Sequence, residues 1–175
     1  STDSVLIVKP VSRASRKFFG TSNPIKFINQ NTLENENFDF EKLIFKASSC
    51  FGSCPVLQIR INADRKVEMN AQYYGDLGTQ VDEEKSGSYS GNLNEKLFSE
   101  LKDIIVKSKI TTLNISNQML CCDGAVKTIE VHHNGKINYV ETMFEPNMLK
   151  DLIGFLYNLR EKAELSKVEQ EFTFE

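Results

Sequence analysis

The chain has 175 residues, 40% of them apolar and 26% charged, with 12 Phe and 5 Tyr. Such a composition supplies a core and excludes disorder over the whole length. No run approaches the ~20 apolar residues of a spanning helix, so no transmembrane segment is expected in this chain, and a net charge of −3 argues against nucleic acid as the partner.

Residues 1–37 read as an N-terminal extension with short strands and a basic arm, and residues 38–175 as a single α+β domain. In the extension, Lys9, Arg13, Arg16, Lys17 and Lys26 stand against a single acid, Asp3, in the first 28 residues. Such an arm is a solvated extension, or it lies on an acidic surface. Val5-Leu6-Ile7-Val8-Lys9 predicts a short buried strand ended by Pro10. Ile25, Phe27 and Ile28 predict a second strand after the Asn23-Pro24 turn. The polar run at 29–37 reads as a linker. Ser1-Thr2-Asp3-Ser4 reads as a trimmed or post-cleavage start, so the lack of a visible signal peptide or lipidation motif leaves the compartment open.

The first hairpin can be placed in register. Leu57, Ile59 and Ile61 alternate with polar residues, as do Val67, Met69, Ala71 and Tyr73. A three-residue loop, Ala63-Asp64-Arg65, sets Ile61 opposite Val67 and Ile59 opposite Met69, so every apolar side chain shares one face. Leu97, Phe98, Leu101, Ile104 and Ile105 then recur at helical spacing, with Asn92 as cap and Glu95 as its capping-box partner. A second hairpin surrounds Asn134-Gly135. A three-residue loop, His133-Asn134-Gly135, pairs Val131 with Ile137 and Ile129 with Tyr139, and keeps each face of one character. A final helix starts near Pro146, with Leu149, Leu152, Ile153, Leu156, Leu159 and Ala163 as its stripe. Gly154 inside it either allows close packing or is tolerated, and Phe172 and Phe174 suggest an edge strand. The fold class is therefore α+β, an antiparallel sheet built from hairpins with two helices packed on one face.

Four cysteines carry most of the chemistry. Cys50 and Cys54 precede the first hairpin, and Cys121 and Cys122 precede the second, just before Asp123-Gly124. Three readings stand: disulfides within or between the pairs, in an oxidising compartment; a four-thiolate zinc site on Cys50, Cys54, Cys121 and Cys122; and free buried thiols in a cytoplasmic protein. His132 on a strand and His133 in a loop read as surface residues, and Asp123 as a turn residue that caps backbone N–H groups. No phosphate loop, dinucleotide fingerprint, zinc-protease helix or nucleophile elbow is present, so no catalytic residues are assigned and no cofactor is required, zinc being the alternative.

Cys50, Gly52, Cys54 and Pro55, followed by Asp123 at the second hairpin, resemble an uncharacterised bacterial domain family of unknown function over residues 38–163. Its mark is a Cys-x-Gly-x-Cys-Pro signature before a strand. The chain departs from it in having Arg65 after Asp64, where the family commonly has Gly, and Leu57 where an aromatic often stands. That family occurs in exported proteins and lipoproteins of the Gram-negative envelope. The resemblance implies a periplasmic or surface-lipoprotein location, with a cytoplasmic one as the alternative, and no reaction. The expected function is a non-catalytic binding or interaction domain of an exported bacterial envelope protein, with an unknown protein partner in the envelope. The alternative is a thiol-based redox or zinc-dependent activity centred on the four cysteines.

Overall fold

The computed structural model describes residues 5–28, 38–75, 80–113 and 123–174. The chain divides into two compact units, Ser1–Asn37 and Phe38–Glu175.

In the first unit, β1 (Val5–Val8) pairs antiparallel with β2 (Ile25–Ile28), Leu6 opposite Phe27 and Val8 opposite Ile25. Between them lies α1 (Arg13–Phe19), which the sequence reading missed. Its signals were legible: Ser12 caps the Ser15 N–H while the Ser15 hydroxyl returns to the Ser12 backbone, and Gly20 ends the helix at φ 66°. β1 is not buried as expected, since Leu6 is 63% and Ile7 66% exposed. Phe19 stacks edge-on with Phe18 and Phe27 instead. The 29–37 linker lies outside the described residues.

The second unit begins with β3 (Phe40–Ala47), β4 (Val56–Asn62), β5 (Lys66–Gln72) and β6 (Gly87–Asn92). Next come α2 (Glu95–Ser108), β7 (Lys127–His133) and β8 (Lys136–Thr142). The unit ends with α3 (Lys150–Tyr157), α4 (Leu159–Lys162) and β9 (Leu165–Val168). Among the described residues the strands form one seven-stranded sheet in the order β8-β7-β3-β4-β5-β6-β9, every neighbour antiparallel.

The first hairpin has the expected register, with Ile61 opposite Val67, Ile59 opposite Met69 and Leu57 opposite Ala71. Arg65 closes its loop at φ 73°, the left-handed bulge position that favours glycine. The inner face of the sheet and the stripes of α2 and α3 form one buried core, in which Leu57, Ile59, Ile61, Leu101, Ile105, Leu152 and Leu156 are all fully inaccessible. Each such side chain contributes roughly 1.5–3 kcal/mol by leaving water.

Three details differ from expectation. The cap of α2 is Asn94, whose side chain accepts from the Leu97 N–H; Asn92 is the last residue of β6. The second hairpin uses a two-residue loop, with His133 opposite Lys136, Val131 opposite Asn138 and Ile129 opposite Val140. Asn134 at φ 50° and Gly135 at φ 68° form the mirror-image turn whose twist matches the strands. The expected separation of polar and apolar faces fails because β8 is an edge strand. Its inner face holds Asn138 beside Val140, and its outer face leaves Ile137 62% and Tyr139 50% exposed. Lastly, the edge strand near the C-terminal end is Leu165–Val168, not the Phe172–Phe174 stretch, which crosses the outer face of the sheet.

The final helix is broken at Asn158 into α3 and α4, and all six stripe residues are buried. A Cβ built at Gly154 meets nothing within 4 Å, so close packing does not require this glycine. Gly154→Ala should therefore raise the unfolding free energy by about 1 kcal/mol through helix propensity alone, seen as a higher urea midpoint at constant slope.

Candidate functional site

The candidate site is the loop between β3 and β4. Cys50 and Cys54 are joined there as a disulfide with Cα atoms 5.6 Å apart, within the range an unstrained bridge requires. Gly52 lies at the tip at φ 139°, a backbone conformation that L side chains rarely adopt, and a Cβ there would come only within 4.0 Å of the Cys50 sulfur. Backbone conformation, not space, therefore demands glycine. Pro55 stands immediately before β4, where a missing N–H costs no ladder bond.

The loop is stitched to the lead-in of β7. The Ser48 N–H donates to the Val126 carbonyl at 2.9 Å, and the Val126 N–H returns to the Ser48 hydroxyl at 2.9 Å. Further out, the Phe51 N–H donates to the Asp123 carbonyl at 3.0 Å. The loop that carries Cys50, Gly52, Cys54 and Pro55 is thus tied through Phe51 to Asp123 at one end of the sheet, although some 70 residues separate them in the chain. The contact runs through the Asp123 main chain. Cys121 and Cys122 lie outside the described residues, and with them any bond they make. A four-thiolate zinc site would need the Cys50–Cys54 disulfide to be reduced, because a disulfide sulfur is not a thiolate ligand.

With both ends fixed, the loop holds Phe51 89% exposed. Phe144 is 62% exposed just past the end of β8, at the same end of the sheet. A Cβ on Gly124 would meet the Met143 side chain at 2.9 Å, which shows how closely the β7 lead-in packs on this turn. Lys127 fixes the turn from below, donating to the Met143 carbonyl at 3.1 Å and pairing with Glu145 at 2.7 Å. That hydrogen bond from Lys127 holds the Glu145 carboxyl below its ordinary range, against the opposing effect of burial. The end of the sheet is therefore a firm platform presenting two phenyl rings.

The histidines need a correction. His132 is on the outer face, hydrogen-bonded to Glu130, but His133 is a strand residue only 5% exposed. Its Nε2 meets Asn138 Oδ1 at 2.8 Å, and Asn138 in turn donates to the Thr111 carbonyl at 3.1 Å. The two-residue turn puts His133 on the core face in step with Ile129 and Val131. Neither histidine has a described cysteine thiol as partner, since Cys50 and Cys54 are bonded to each other.

A helix-backed, seven-stranded antiparallel sheet with a disulfide-closed loop at one end defines an α+β sheet domain. Residues 41–161 match the family described as a domain of unknown function (DUF6438), and the chain belongs to that family. The matched residues include Cys50, Gly52, Cys54, Pro55 and Asp123, whereas β9 and the segment after it lie beyond them. No curated protein matches the chain. Among the described residues no helix is long and apolar enough to cross a membrane.

Reduction of Cys50–Cys54 should lower the unfolding free energy by about 2 kcal/mol, the loop-closure value for a ring of this size. Chemical denaturation with and without reductant checks this, with a Cys50→Ser/Cys54→Ser variant matching the reduced chain.

Proposed function

We propose that Phe38–Glu175 is a non-catalytic interaction domain of an exported bacterial envelope protein, and that it contacts its protein partner through the Cys50–Cys54 loop. The observation that carries this is Phe51, held 89% exposed on a loop closed by a disulfide and anchored to Asp123. An exposed aromatic on a rigid element buries large area on binding at little entropic cost, which is what anchor residues of interfaces do. The disulfide supports an oxidising compartment, and the resemblance to exported proteins and lipoproteins supports the envelope.

The test is capture of partners from envelope extract by the intact chain and by Phe51→Asp, with both proteins shown to be folded. The reading requires a partner retained by the first and lost by the second. Identical capture by both, or turnover of a thiol substrate with no partner captured, overturns it.

One observation favours a second reading, a thiol-based redox or zinc-dependent activity on Cys50, Cys54, Cys121 and Cys122. The disulfide loop is hydrogen-bonded to Asp123, the residue that directly follows Cys121-Cys122 in the chain. This reading fails if replacing all four cysteines by Ser leaves function intact and lowers only stability.

A further inference from the structure

On the face of the sheet opposite the helices, residues 169–174 leave β9 and cross the strands without joining the ladder. They are held by side chains, one strand at a time. Asn70 on β5 clamps both polar groups of Phe172, accepting from its N–H at 3.2 Å and donating to its carbonyl at 2.7 Å. Arg60 on β4 donates to the Thr173 carbonyl at 3.2 Å. Lys46 on β3 donates to the Phe174 carbonyl at 2.9 Å. Successive carbonyls of an extended segment are thus received by successive strands.

These receiving side chains are themselves positioned. Arg60 gives its Nε and Nη2 to Glu68, a carboxylate only 7% exposed and also paired with Lys66, which leaves Nη1 for Thr173. The same guanidinium lies over the Phe174 ring, 5.3 Å from its centroid, and that ring is 8% exposed. Ser88 donates to Asn70 Oδ1 at 3.0 Å and orients the clamp. Between β9 and Phe172 the segment is not packed down. Glu169 and Glu171 there line a cavity of about 520 Å³ whose other walls include Gln58, Gln72 and Ser88. Residues 172–174 are therefore the grip, and residues 169–171 an arch.

We infer that the outer face of β3, β4 and β5 is a docking surface for an extended peptide whose Phe fills the seat under Arg60, and that residues 169–174 are this chain's own copy of that ligand, keeping the surface occupied. The contacts go to main-chain groups and one phenyl seat, which is the chemistry that recognises an extended peptide. The receiving residues lie within the family match at 41–161, and the occupying segment lies beyond it. The inference does not depend on how the Cys50–Cys54 loop is read.

A tethered segment competes with a free peptide at high effective concentration, and a surface closed nine times in ten binds with about tenfold weaker apparent affinity. The probe is a fluorescein-labelled peptide of residues 169–174, Glu-Gln-Glu-Phe-Thr-Phe, titrated by anisotropy against the full chain and against a Phe172→Ala/Phe174→Ala variant. The variant should bind at least tenfold more tightly than the unaltered chain, and adding Asn70→Ala should abolish the gain. Equal binding by the two folded proteins overturns the inference, as does equal binding of a peptide with both Phe replaced by Ala. If the variant melts below the assay temperature, the unaltered chain decides. Millimolar peptide should speed hydrogen exchange at the Phe172 amide several-fold by displacing the segment, toward a tenfold limit for a segment closed nine times in ten, and unchanged exchange overturns the proposal.

Discussion

Replacing Phe45 by Ala should lower the unfolding free energy of the larger unit by about 3–5 kcal/mol, a large share of what a domain this size has. Phe45 is completely inaccessible on β3, which is paired on both sides, by β4 and β7. Its ring meets Tyr157 of α3 edge-on at 5.7 Å, so it joins the sheet to the helix layer. Neither neighbouring strand can shift inward to fill the space without breaking ladder bonds, and the cavity cost adds to the lost transfer energy. All five tyrosines lie in this unit, so tyrosine fluorescence in a urea titration reports its unfolding selectively. The midpoint should fall with the slope unchanged. Phe51→Ala removes the same side chain from a solvent-facing position and should shift stability by less than about 0.5 kcal/mol. If the two substitutions cost the same, the assignment of inner face and loop tip is wrong.

The difference between Phe45 and Phe51 was only half visible in the sequence. The first hairpin was fully legible because its two strands alternate cleanly and its inner residues face one core. β3 itself was not. Leu43, Phe45 and Ala47 lie on the inner face, but Ile44 is buried on the other, and a bulge between Phe40 and Lys42 shifts the period. Pattern reading needs one dry face and one wet one, and β3 buries residues on both of its faces where β4 beside it alternates. β6 escaped for another reason: Gly87-Ser88-Tyr89-Ser90-Gly91-Asn92 has little apolar content, and its glycines answer to β9. A Cβ on Gly91 would come within 2.6 Å of the Glu164 carbonyl oxygen.

The candidate site was legible as a turn and not as a place. Cysteine spacing with Gly52 and Pro55 marked a constrained loop, but the partner that fixes it, the Asp123 carbonyl, arrives only through the β3–β7 pairing. A main-chain acceptor leaves no trace in residue type. The same holds for residues 172–174, whose alternating phenylalanines suggested a strand. Phe174 is instead buried on the sheet face, and its neighbours' carbonyls are taken up by Arg60 and Asn70.

Arg60→Ala should cost about 2–3 kcal/mol at pH 7, because a nearly buried carboxylate loses one of its two cationic partners while Lys66 retains part of the pairing. Burial raises the Glu68 carboxyl, but hydrogen bonds and charge from Lys66 and Arg60 outweigh it and hold the carboxyl below its ordinary value of 4.5. The folded state then releases the proton more readily than the unfolded one. The stabilisation is present above pH 4.5 and is lost as pH falls from there through the depressed value. Glu68→Gln should therefore be less stable than the unaltered chain at pH 7, with the gap closing as the solution is acidified below this window. Because Glu145 and Asp82 are also held low, the difference between the two urea midpoints, not either midpoint alone, isolates Glu68. Arg60→Lys separates the two duties of this side chain. An ammonium can keep Glu68 ionised, so the acid sensitivity should return. It has no planar fork to share between Glu68, the Thr173 carbonyl and the Phe174 ring, so the hold on residues 172–174 should not. Midpoints at pH 7 and pH 3 read the first duty. Hydrogen exchange at the Phe172 amide reads the second, and a lysine that restores both would show that charge alone seats the segment.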